Sequence, residues 1–128
     1  MLDTQGYQHY QAVNVDARAA SASPEELMVM LIDAVLDELP KIGKFIEENS
    51  FDLKAQSVDR AMRIIEGLES ALNDDADATL RKDLSALYQY SSQQVFKASI
   101  DSDLKALKDV KDILSVLRSA WFELGAKR

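Results

Sequence analysis

Residues 23–39 read SPEELMVMLIDAVLDEL, and this stretch decides the fold. Ser23-Pro24-Glu25-Glu26 is a capping box with proline at the first helical position. The Ser23 hydroxyl can accept from the Glu26 N–H, and the Glu26 carboxylate can reach back to the Ser23 N–H. Pro24 loses nothing there, since that N–H has no partner inside a helix. Two acidic residues in the first turn also suit the positive end of the helix dipole. Behind the cap, apolar residues recur at three and four. Leu27, Met30, Leu31, Ala34 and Val35 make one stripe; Met28, Ile32, Leu36 and Leu39 make a second. A helix on the surface of a bundle needs only one. The second stripe therefore packs against other parts of the protein or a second subunit, or it receives a client helix. Pro40 lacks an N–H and crowds the Leu36 carbonyl, which predicts a kink or break. Ile42, Phe45 and Ile46 carry the pattern on to about Asn49.

Three more amphipathic segments follow. The second runs from about Asp52 to Leu72, with Val58, Ala61, Met62, Ile65, Leu68 and Leu72 on one face. Asn73-Asp74-Asp75-Ala76-Asp77 stops it. The third runs from about Thr79 to Ser99, with Leu80, Leu84, Leu87, Tyr88, Ser91 and Val95 as its inner face. Tyr88 is read as core, and Tyr90 as an edge residue that can offer ring and hydroxyl to a partner. Asp101-Ser102-Asp103 reads as a turn and cap. The fourth runs from about Asp103 to Leu124, along Leu107, Val110, Leu114, Leu117, Trp121 and Leu124. Gly125 is read as its stop. Four helices of about 30 Å with short connections predict an all-α, antiparallel four-helix bundle.

Residues 1–22 differ from this pattern. Tyr7, Tyr10, Val13 and Val15 stand among polar and small residues without a sustained period. They are read as an N-terminal arm, with residues 23–128 as the bundle domain. Such an arm either lies back on the domain or latches over a binding surface.

Composition narrows the function. The 128 residues carry 22 acidic and 15 basic side chains, a formal charge of −7. That opposes general nucleic-acid binding, which needs clustered cations. Cysteine is absent and His9 is the single histidine. Thiolate metal sites and the Glu-x-x-His pairs of carboxylate-bridged di-metal bundles are thus excluded within one chain. No glycine-rich phosphate loop occurs, and no serine has a helical His base. The expectation is no enzyme, no catalytic residue, no metal and no cofactor. No secretory signal or membrane-spanning run is evident, so a cytoplasmic location is expected.

Several motifs, in order, resemble the flagellin-specific flagellar secretion chaperones, the FliS family. They are Tyr7-x-x-Tyr10-x-x-Val13-x-Val15, Ser21-Ala22-Ser23-Pro24-x-x-Leu27 and Met30-Leu31-x-Asp33. Further on come Ile64-Ile65, Leu84-x-x-Leu87-Tyr88-x-Tyr90 and Leu117-x-x-Ala120-Trp121. The resemblance spans essentially the whole chain. It departs at Ala34, at Asp77-Ala78-Thr79-Leu80, at Ser91 and at Pro40. It implies a bundle that binds the disordered C-terminal segment of flagellin in the cytoplasm, prevents premature polymerisation and presents the client to the flagellar export gate. By motif match, Tyr10, Leu27, Met30, Leu31, Leu87 and Tyr90 are the expected client contacts. Tyr7, Val13 and Val15 are the docking arm. The expected state is a monomer or weak homodimer; the alternative is a self-associating structural bundle without a client.

Overall fold

A computed structural model describes residues 21–72 and 77–127. Among them are four α-helices: α1 (Pro24–Glu47), α2 (Phe51–Ser70), α3 (Ala78–Asp101) and α4 (Leu104–Ala126). Three of the four starts are fixed by a side-chain cap, while Ser50 before α2 makes no such bond. Ser23 Oγ accepts from the Glu26 N–H at 3.1 Å. The Asp77 carboxylate accepts from the N–H groups of Thr79 and Leu80 at 2.8 and 3.3 Å. Asp103 does the same for Lys105 and Ala106 at 3.0 and 3.3 Å. These side chains satisfy donors that a helix start otherwise leaves open.

Two turns reverse the chain through left-handed residues. Asn49 (φ 55°) follows α1, and Ser102 (φ 53°) follows α3. Beyond Asn49, the Ser50 N–H donates to the Phe45 carbonyl at 2.9 Å and the Asn49 N–H to Ile46 at 3.2 Å, a Schellman closure. Beyond Ser102, the Asp103 N–H reaches Ala98 at 3.1 Å.

The helices pack in a closed ring, α1 on α2 and α4, and α3 on α2 and α4. The pairings run antiparallel. Glu38 of α1 meets Ser57 and Arg60 of α2. Glu69 of α2 meets Ser85 of α3, while Lys54 meets Ser99. Tyr88 of α3 meets Trp121 of α4, and Arg118 of α4 meets Asp33 of α1. The axis of the ring is filled by Met28, Ile32, Val35, Leu39 and Ile42 of α1 with Ala61, Ile65 and Leu68 of α2. Tyr88, Val95 and Ala98 of α3 and Val110, Leu114 and Leu117 of α4 complete it. Each large aliphatic side chain buried there contributes about 1.5–3 kcal/mol.

The bundle matches the expected class and order, and several details are corrected. α1 continues through Pro40 without a break, with the proline exposed. Val35 joins the core stripe, while Leu27, Met30, Leu31 and Ala34 are half-buried on the flanks. On α3, Leu80 and Leu87 are exposed rather than inward. The inner line there runs through Tyr88, Ser91, Val95 and Ala98, and two small residues let the neighbours close in. Leu124 is also exposed. Gly125 does not stop α4, which runs to Ala126 with Lys127 as its cap. A Cβ at Gly125 would stand 3.2 Å from Glu25 Cβ, so the glycine allows the close approach of α4 to α1. The arm with Tyr7, His9, Tyr10, Val13 and Val15, and residues 73–76, lie outside the described residues.

Candidate functional site

Each helix turns one face to the axis and leaves two flanks. Grooves open where the flanks of neighbouring helices meet. The first, about 560 Å³, lies between the start of α1 and the end of α4. Val29, Met30, Trp121, Phe122 and Gly125 line it, with Glu25 buried beside them and Glu26 exposed at its edge. Further along the same α1/α4 seam, a second groove of about 370 Å³ is lined by Leu36, Leu39, Pro40, Leu107, Lys108, Lys111 and Ser115. Between them stands the bidentate pair of Arg118 and Asp33. Arg118 Nε and Nη2 donate to the two carboxylate oxygens, the latter at 3.2 Å. The carboxylate raises the guanidinium pKa above its already high ordinary value.

A third groove, about 450 Å³, runs along α2 and α3. Met62, Ile65, Tyr88 and Phe96 form its apolar part. Its edge is ordered by Glu69, whose carboxylate accepts from Ser85 Oγ at 2.9 Å and Gln89 Nε2 at 3.0 Å. The remaining flank of α3 turns to α4, since Ser85, Gln89 and Phe96 take the α2 side. It carries Leu80 and Leu87, both exposed. On α4 the side away from α1 carries Val116 and Leu124, exposed by 70% and 46%.

The polar interior holds the frame rather than a reaction centre. Buried Glu38 accepts from Ser57 Oγ at 2.5 Å and Arg60 Nη1 at 2.9 Å, with Lys41 Nζ at 3.6 Å. Burial pushes its pKa up. The two hydrogen bonds and the Arg60 and Lys41 charges outweigh that and hold it below the ordinary carboxylate value. Tyr88 is fully buried, and burial raises its phenol pKa against the opposing Trp121 hydrogen bond. Among the described residues no cluster of three acidic or histidine side chains could hold a metal ion. None of the described helices is long and apolar enough to cross a membrane.

The structure disperses the expected client residues. Met30 lines the first α1/α4 groove. Leu27 and Leu31 lie on the other flank of α1, toward α2, half-buried. Leu87 and Tyr90 are on α3, exposed by 38% and 44%. Tyr10 lies outside the described residues. Sequence reading passed over Val29, Phe122 and Phe96 as groove residues. Phe122 carried a usable signal: it is a large aromatic off the apolar stripe of its own helix.

A helical bundle with apolar furrows on its outer flanks belongs among binding proteins. Among the described residues, Ser23, Asp77 and Asp103 cap helices, and Glu38, Glu69 and Asp33 brace neighbouring ones. The family model described as "Flagellar protein FliS" matches residues 6–128. The chain is 32% identical to the flagellar secretion chaperone FliS of Escherichia coli strain K12, over 96% of this chain and 91% of that one. It is 29% identical to the flagellar secretion chaperone FliS of Salmonella typhimurium strain LT2, over 99% and 95%. Its fold is similar to a solved structure described as a flagellar chaperone from bacteria. There the TM-score is 0.77 at 18% identity, over 99% of this chain and all of that one. The chain belongs to the FliS family, a family of flagellar chaperones and not of enzymes.

Proposed function

We propose that this chain binds the disordered C-terminal segment of flagellin in the cytoplasm, keeps it from polymerising prematurely and delivers it to the flagellar export apparatus. The observation that carries this reading is the distribution of apolar furrows around the bundle, with Phe122 and Phe96 exposed by 60% and 51% beside them. A disordered segment loses conformational entropy when it orders, and it compensates by covering a large surface. Short amphipathic helices seated in successive grooves do that. Met30 takes part through the α1/α4 groove, Leu27 and Leu31 through the α2 side, and Leu87 and Tyr90 through α3. Residues 1–22 form the arm. Tyr10 contacts client, while Tyr7, Val13 and Val15 dock on the bundle.

Isothermal titration with a peptide of the flagellin C-terminal segment tests the proposal. The expected result is a one-to-one complex with a negative heat-capacity change. No heat at micromolar concentrations, with a concentration-dependent dimer in sedimentation, would favour the self-associating bundle instead.

A further inference from the structure

The two grooves of the α1/α4 seam lie in line. Glu26, Val29, Asp33, Leu36 and Pro40 recur at three and four, so they form one stripe along α1. From Glu26 to Pro40 this stripe is about 21 Å long. α4 runs the opposite way beside it. Gly125 approaches Glu25, and a Cβ at Gly43 would touch Leu107.

The ends of this strip differ in charge. The groove at the start of α1 is edged by the exposed Glu26, with Glu25 buried in its lining. The groove at Pro40 is edged by Lys108 and Lys111, and no carboxylate lines it. Neither lysine forms an ion pair among the described residues. Asp33 and Arg118, between the grooves, compensate each other. In a chain of net charge −7, an uncompensated basic edge on an apolar groove is a local reversal. Pro40 adds a second feature there. It supplies no N–H, so the Leu36 carbonyl lacks its i+4 donor beside the same groove.

We infer that the α1/α4 seam is a polarised track on which a helical segment of the client lies parallel to α1, its N-terminal end at Glu26 and a carboxylate-bearing C-terminal end at Lys108 and Lys111. The inference rests on the client-binding reading and adds a direction to it. A helix is positive at its N-terminus and negative at its C-terminus, so both ends meet opposite charge in this orientation and like charge in the reverse one. The apolar floor holds the segment in either direction; the edges select one. Where the segment crosses Asp33 and Arg118, a small or polar residue fits over the pair.

Two measurements test the direction. Isotope-labelled protein is first titrated with single-helix pieces of the C-terminal segment of the flagellin from the same genome. The piece that perturbs the Val29 and Lys111 resonances then receives a nitroxide at either end. A label at the C-terminal end broadens the amides of Lys108 and Lys111; one at the N-terminal end broadens those near Glu26. The opposite pattern, or no piece that perturbs this seam, overturns the inference. In the second, Lys108→Glu with Lys111→Glu weakens the affinity for the full segment about tenfold at low salt, and less as salt screens the edge. Both side chains are exposed, and an unchanged circular dichroism spectrum shows that the fold is kept. Unaltered affinity overturns the inference while client binding stands. Failure of the unmodified segment to bind overturns both readings.

Discussion

The indole N–H of Trp121 donates to the phenol oxygen of Tyr88 at 3.1 Å, joining α4 to α3. It is one of several side-chain bonds that cross between helices, beside Glu38 with Ser57, Glu69 with Ser85 and Asp33 with Arg118. Tyr88→Phe keeps the ring and removes the acceptor. The expected cost is about 1 kcal/mol in urea unfolding. The buried phenol also ionises above its ordinary value of about 10, so the folded chain holds this proton longer than the unfolded chain does. Stability from this group is complete below pH 10 and falls as pH rises beyond it. Tyr88→Phe abolishes that part of the alkaline decline, measurable by unfolding at two alkaline pH values.

Glu38 predicts the behaviour at the other end of the scale. Its folded pKa is depressed, so its contribution is present above the unfolded carboxylate value of about 4.3 and is lost as pH falls through the lower folded value. Glu38→Gln preserves shape and removes the charge. It costs about 1–2 kcal/mol at neutral pH and flattens the stability curve on acidification. Equal acid slopes for the two proteins would show that the Ser57 and Arg60 bonds do not tune this carboxylate.

Binding and folding separate at Phe122 and Leu114. Phe122 is largely exposed at its groove, whereas Leu114 is fully buried. Phe122→Ser weakens client affinity at least about tenfold and leaves the thermal midpoint nearly unchanged. Leu114→Ala lowers stability by about 2–5 kcal/mol. Calorimetry and thermal unfolding on both variants distinguish the two roles.

Pro40 sits within α1 at the expense of one backbone hydrogen bond. Pro40→Ala restores the donor for Leu36 but gives the unfolded chain more freedom. The net expectation is a gain of about 2 kcal/mol in urea unfolding.

Much of the architecture was legible because its signals are local. The Ser23 and Asp103 caps name their own positions, and the apolar stripe of α4 from Leu107 to Leu117 is regular enough to set its phase. The phase of α3 was harder to read. Leu80 and Leu87 have helical spacing and large side chains, yet the buried line passes through Ser91 and Ala98. The Ser91 hydroxyl is satisfied by the Leu87 carbonyl of its own helix at 2.9 Å, so burial costs it little. Gly125 failed as a stop signal because its absent side chain serves a neighbour far along the chain. The same holds for Glu38 and for the Asp33–Arg118 pair: nothing within either segment announces a partner on another helix. The grooves are likewise properties of pairs of helices; in one dimension their traces are the second stripe of α1, with Leu36 and Leu39, and off-stripe residues such as Phe122.

The left-handed Ser102 has a kinetic corollary. With Ser102 and Asp103 alone bridging α3 and α4, and Glu48 to Ser50 bridging α1 and α2, most of the packing joins segments adjacent along the chain. Short loops of this kind close at small entropic cost, and topologies dominated by near-sequence pairings collapse to their final form in microseconds to milliseconds. The four-helix core of a newly synthesised copy is thus expected to assemble within milliseconds of its release.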